Sequence, residues 1–68
     1  MKVSDIRNGD TLTYRNGRIH SVNHSVNYKN YYDEDFNHLI DHRYDIMKIE
    51  RYKKVLFFYL KKVIYEKK

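Results

Sequence analysis

RNGDTLTYRNGRIH, residues 7–20, holds both glycines of the chain, Gly9 and Gly17, each preceded by Arg-Asn. Between the two triplets runs Thr11-Leu12-Thr13-Tyr14, and after the second come Ile19, Ser21 and Val22. β-Branched and aromatic residues suit a pleated, half-buried surface, and Asn-Gly is the strongest signal for a two-residue hairpin turn, because such a turn needs positive φ. The stretch therefore predicts two antiparallel strands joined at Asn16-Gly17. Before them, residues 3–6 read as a short helical turn with Ser4 as its cap and Gly9 as a left-handed stop. Turning accounts for both glycines without a ligand, and leaves Arg7 and Arg15 as candidate contacts.

Working outward, residues 26–32 read as a third strand in which Val26, Tyr28, Tyr31 and Tyr32 carry the apolar surface. From Asp33 the pattern changes. Phe36, Leu39 and Ile40 fall at i, i+3 and i+4, which predicts one short amphipathic helical turn near residues 34–41 with acidic residues at its start. Residues 44–52 alternate as a strand, with Met47 and Ile49 on one face and Lys48 and Glu50 on the other. In the tail, Val55, Leu56, Tyr59, Leu60, Val63 and Ile64 have helical spacing but strand-favouring chemistry, so this segment is either a helix or a closing strand.

Short antiparallel strands joined by tight turns favour closure, which removes exposed edges. The expected fold is mainly β, a small antiparallel barrel over residues 1–52. A basic amphipathic segment, residues 53–68, is expected to pack on it or at a homodimer interface. The expected core draws on Val3, Ile6, Leu12, Tyr14, Ile19, Val22, Val26, Tyr28, Phe36, Leu39, Ile40, Met47 and Ile49. That set is modest, so the tail stripe is expected to complete it.

Composition bounds the class. Sixty-eight residues make at most one domain, and with no cysteine there is neither a disulfide nor a thiolate zinc site to staple it. Eleven aromatics, eight of them tyrosine, argue against intrinsic disorder. The longest apolar run, VLFFYL at 55–60, is far too short to span a bilayer, and residues 1–10 lack the apolar stretch of a signal peptide, so a cytoplasmic location is expected. Charge divides the chain: residues 1–50 hold seven Lys/Arg and eight Asp/Glu, a net of −1, while residues 51–68 hold seven Lys/Arg and only Glu66, a net of +6. A basic segment on a neutral body points to one local contact surface rather than to an even polyanion-binding field.

Asp5-Ile6 with Asn8-Gly9-Asp10, then Arg15-Asn16-Gly17, then Tyr44-Asp45-Ile46-Met47-Lys48-Ile49 with Arg51, resemble a family of small uncharacterised proteins of phages and prophages of low-GC Gram-positive bacteria. The first half is also similar to KOW-type and other SH3-like barrels. The resemblance covers roughly residues 1–52 and implies a compact SH3-like barrel and an infected or lysogenic bacterial host. It brings no activity or site residues, and the lysine-rich tail departs from the pattern.

Candidate chemistry is sparse. His20 with His24 and His38 with His42 have the i, i+4 spacing of paired metal ligands, yet spacing fixes no third ligand, so they are assigned to packing or solvent. Asp33, Asp35 and Asn37 open like a calcium loop, but His38 stands where the glycine belongs and Tyr44 where the glutamate belongs. Ser4, Ser21 and Ser25 sit in no nucleophile elbow, and no phosphate-cradling loop is present. No catalysis, metal or cofactor is expected. Tyr28, Lys29, Tyr31 and Tyr32 resemble a stacking platform with a cation beside it, or a protein interface; the acidic residues 33–35 nearby favour the interface. Lys53, Lys54, Lys61 and Lys62 complete the partner-binding candidates.

The expected function is a non-enzymatic binding module that binds and blocks a host macromolecule, such as a component of antiviral defence, with a host protein as partner. An alternative is a nucleic-acid-binding barrel using Arg7, Arg15, Arg18 and the tail lysines. A further alternative is a nucleotide-signal sponge, which would need oligomerisation and a tyrosine-lined pocket. As a membrane-surface helix the tail would use the same apolar stripe, with Lys53, Lys54, Lys61 and Lys62 at the headgroups.

Overall fold

The structure, a computed structural model, describes residues 1–23 and 27–68. Four strands make one antiparallel sheet: β1 (Thr11–Tyr14), β2 (Ile19–Ser21), β3 (Ile46–Val55) and β4 (Phe58–Glu66), in the order β2-β1-β3-β4. The mainly β reading holds, and the architecture is consistent with a small barrel-like fold. Among the described residues no helix is long and apolar enough to cross a membrane. The tail is strand rather than helix. Its apolar residues alternate across a ribbon, and pairing with β3 satisfies the backbone of both strands.

The β1–β2 hairpin forms where expected, but its turn is centred one residue earlier. The Gly17 amide donates to the Tyr14 carbonyl (2.9 Å), and of the Asn16-Gly17 pair only Gly17 has positive φ, at 85°. The Asn16 side chain instead accepts the Arg18 amide, at 2.9 Å. Gly9, at φ 90°, occupies the third position of a turn closed by the Asp10 amide on the Arg7 carbonyl, a place that favours glycine. The first helical turn is a 3₁₀ turn at Val3–Asp5, and Asp5 rather than Ser4 caps it, its carboxylate accepting the Lys2 amide at 2.8 Å.

Two expectations between the hairpins are corrected. Instead of a third strand there is a 3₁₀ turn at Tyr28–Asn30, held by the Asn27 side chain on the Lys29 amide; residues 24–26, where that strand was to begin, lie outside the described residues. Instead of a helical turn near 34–41 there is a folded loop, and the 3₁₀ turn falls at His42–Tyr44. The cause is Asp33, whose Oδ1 accepts the amides of Asp35 (2.9 Å) and Asn37 (3.0 Å) and so offers the backbone an alternative to helix. Phe36 adopts φ 64°, outside the right-handed helical region.

The core joins Val3, Leu12, Val22, Tyr28, Tyr32, Phe36, Ile46 and Ile49, with Ile6, Tyr14, Ile64 and Tyr65 packed against it. Ile19 (70% exposed), Leu39 and Ile40 (89%) lie outside it, against expectation. On β3 the expected alternation is reset by a bulge. Thr13 pairs with Lys48 but Tyr14 pairs with Ile46, so Met47 is skipped and both Ile46 and Ile49 point inward. Phe36 stacks on Tyr65 with ring centroids 4.0 Å apart, tying the loop to β4.

Candidate functional site

β1 pairs with β3 only as far as Glu50, so from Arg51 onward β3 has β4 as its sole strand neighbour among the described residues. Residues 51–62 thus form a two-stranded ribbon that leaves the body, about 15 Å long at the usual strand rise. The long dimension of the molecule, 41 Å against 22 and 18 Å, reflects it. The boundary read at residue 52 falls inside β3. The arm's sequence, KKVLFFYLKK at 53–62, sets an apolar run between two lysine pairs. Val55 pairs with Phe58, Lys54 with Tyr59, Lys53 with Leu60 and Tyr52 with Lys61, leaving Leu56 and Phe57 as the tip.

Because cross-strand partners share a face, Tyr52, Lys54, Tyr59 and Lys61 lie on one side and Lys53, Val55, Phe58, Leu60 and Lys62 on the other. The expected role of the tail stripe in the core is corrected. Only Ile64, with its neighbour Tyr65, packs on the core, while Leu56 is 78% exposed, Phe57 is 99% exposed, and Tyr59, Leu60 and Val63 are exposed too. A β bulge skips Ile64, so that Glu50 pairs with Val63 but Ile49 with Tyr65, and Ile64 and Tyr65 both pack on the core. Lys61 sits 5.8 Å from the Tyr52 ring centre and 3.9 Å from Glu50 at the arm's base.

Two buried carboxylates fasten the body. Asp10 accepts from Arg51 Nε (2.8 Å) and Nη2 (2.9 Å) and from the Arg7 amide (2.9 Å), and Arg51 Nη2 also reaches the Asp5 carbonyl. This clamp marks the point where the arm departs. Asp45 accepts from Arg15 Nε and Nη2 and from the His38 amide (2.7 Å), with His42 Nδ1 at 3.4 Å. Burial pushes both carboxyls up, but the hydrogen bonds and charges of these partners outweigh it and hold both below the usual aspartate value. Burial likewise raises the Tyr32 phenol, whose hydroxyl donates to the Tyr44 carbonyl at 2.7 Å.

The structure separates the residues that the sequence grouped. Tyr28 and Tyr32 are core residues, so the stacking platform is corrected: of that set only Lys29 and Tyr31 are exposed. Packing takes those two rings because the 3₁₀ turn at Tyr28–Asn30 directs both inward, 6.1 Å apart. Arg15 holds Asp45 at the end of the sheet opposite the arm, Arg18 lies in the same turn, and Arg7 is exposed near the arm's base. The alternative nucleic-acid set is therefore split between two ends. Lys53, Lys54, Lys61 and Lys62 do come together, all exposed on the arm. His38 Nδ1 accepts the amides of Ile40 and Asp41, and His42 faces Asp45, so both are occupied locally; the partner of His20, His24, lies outside the described residues. The Asp33 carboxylate is likewise engaged by its own loop.

Sequence reasoning placed Leu56 at a surface only in the membrane-helix alternative, and it did not single out Phe57 or read the two as a hairpin tip. A partial signal was there: lysine pairs on both sides of VLFFYL suit a hairpin with its turn inside that run, and the structure centres it at Leu56 and Phe57, one residue before the middle. No family model, curated protein or solved structure matches the chain.

Proposed function

We propose that this protein is a non-enzymatic binding module that acts by holding a larger partner through the projecting arm. The observation that carries the reading is the arm itself: a ribbon that leaves the body, exposes Leu56, Phe57, Phe58, Tyr59 and Leu60, and surrounds them with four lysines. A contiguous exposed apolar patch with a charged rim is the mark of an interaction surface. An unsupported two-stranded ribbon is marginal in water, so a partner that covers it stabilises both. The resemblance of residues 1–52 to small phage proteins supports an SH3-like body and a target in an infected bacterial cell, where occupying a host component would block it.

A second reading, nucleic-acid binding, draws on the same four lysines, which are exposed together. Immobilised protein exposed to a bacterial lysate that retains its membranes, with and without nuclease, separates the two. A partner that survives nuclease and is lost with the double variant Leu56→Gly, Phe57→Ser is the expected result. A partner lost on nuclease treatment favours the second reading, and one retained by the double variant removes the arm from the function.

A further inference from the structure

We propose that the arm docks on an anionic lipid surface, its tip entering the headgroup region and its lysines meeting the lipid charges. The proposal rests on the arm being the contact element and names what it meets. Charge complementarity and the layout of the ribbon argue for it. Leu56 and Phe57 lead, 78% and 99% exposed, followed by the Val55–Phe58 pair. Lys54, Lys53, Lys61 and Lys62 follow, two on each strand, in the second to fifth residue pairs behind the tip. At ~3.3 Å per residue the lysines stand roughly 7 to 17 Å behind Leu56 and Phe57, so the tip can sink to the ~5 to 10 Å depth of an amphipathic element while the lysines lie at or above the headgroups. Tyr59 and Tyr52 lie among them, and amphipathic rings of this kind prefer the interface. The arm's strand pairing satisfies its inner backbone groups, and a shallow position leaves the outer edge within reach of headgroups and water.

Other occupants fit less well. A second copy would bring like charge to like charge: antiparallel self-pairing along the free edge of β4 stacks Lys61 and Lys62 against their own counterparts. Base edges in duplex grooves are read by forked or amide side chains, and residues 53–62 hold none; the one arginine of the ribbon, Arg51, is spent on Asp10. Leu56, Val55 and Leu60 offer nothing to a stacked base, whereas each gains by leaving water for an acyl boundary.

The test uses co-sedimentation of the full chain with phosphatidylcholine vesicles and with vesicles containing about one-third phosphatidylserine. Wild type should pellet with the anionic vesicles and not with the neutral ones. Leu56→Gly with Phe57→Ser should weaken this at least tenfold with an unchanged circular dichroism melt, since both positions are exposed and glycine suits the φ of 55° at Leu56. Replacing Lys53, Lys54, Lys61 and Lys62 by Gln should have a similar effect, as should raising salt from ~0.1 to ~0.5 M. The chain has no tryptophan, so Phe57→Trp gives a single reporter whose emission should shift to the blue on anionic vesicles.

No pelleting, equal pelleting with both vesicle types, or a tip variant that binds like wild type overturns the proposal. So does tighter binding to a DNA duplex in the same buffer. If lipid binding fails but the lysate partner above is still lost with the tip variant, the arm remains the contact element and only its lipid target falls. If neither assay responds to the tip variant, the arm reading falls with it.

Discussion

The body and the arm are built from the same kinds of residue and treat them oppositely. In the body, Tyr28, Tyr32 and Phe36 are buried, and the charged groups Asp10 and Asp45 are each held by an arginine. On the arm, Tyr59, Phe57 and Phe58 stand in solvent, and Lys53, Lys54 and Lys62 have no carboxylate within ion-pair distance among the described residues. Burial with satisfied polar partners is what a small core needs to offset chain entropy, and it fixes one structure. Exposure with unspent apolar and cationic groups contributes nothing to that structure, and under the proposed function both are what a partner would meet. The Arg51–Asp10 clamp is the border between the two.

The contrast predicts its largest effect in the body. Leu12→Ala and Phe36→Ala, at positions almost wholly buried, should each cost about 3 kcal/mol in urea unfolding. Leu56→Asp, a harsher chemical change at an exposed tip, should move the midpoint by less than about 0.5 kcal/mol. A Leu56→Asp protein that unfolds would show that the tip is covered in solution, and the two regions would no longer differ.

Next is the clamp. Asp10→Asn keeps the shape but removes the charge facing Arg51, and should cost roughly 2 kcal/mol, less than a fully buried pair because Arg51 keeps some contact with water. The same groups set the acid limb. Asp10 and Asp45 titrate lower in the folded chain than their ordinary value of 3.8, so their contribution is fully present above that value and is lost as pH falls through the lower folded values. Melts between pH 5 and ~2 should show this loss, and Asp10→Asn should flatten it. An unchanged slope in the variant would mean that Arg51 does not hold Asp10.

Smaller again is Gly17→Val. A Cβ there meets nothing within 4 Å, so the cost is that of φ 85° alone, about 1 to 2 kcal/mol. A variant melting with wild type would show that the turn can relax without the strands.

How much of this was legible in the sequence follows the range of the interactions. The β1–β2 hairpin was readable because its signal is local: glycine at a position that needs positive φ, between strand-formers. The segment at 34–41 was misread because the apolar spacing of Phe36, Leu39 and Ile40 is helical, while the deciding feature is one carboxylate, Asp33, bonding its own loop. The reset on β3 that buries both Ile46 and Ile49 depends on a bulge against a strand more than thirty residues away, which no period reveals. On the arm, the four lysines were grouped by charge and the structure places them together, but Leu56 was assigned to the core or a dimer interface because apolar residues are usually inside. Only the early end of β1 pairing at Glu50 shows that no described residue covers it.

The smallest expected effect compares two residues with the same backbone strain. Phe36 and Leu56 are the non-glycine residues with positive φ among those described, at 64° and 55°. At Phe36 the strain is offset by burial and by the ring of Tyr65, so removing the side chain loses far more than it relieves. At Leu56 there is no such offset. Leu56→Gly removes roughly 1 kcal/mol of left-handed strain and adds a similar amount of unfolded-chain entropy, so the unfolding midpoint should stay within about 0.5 kcal/mol of wild type. A loss above about 1 kcal/mol would mean that the Leu56 side chain packs on the ribbon. An unchanged midpoint leaves the strained leucine with no role in stability, as expected of a residue placed there for contact.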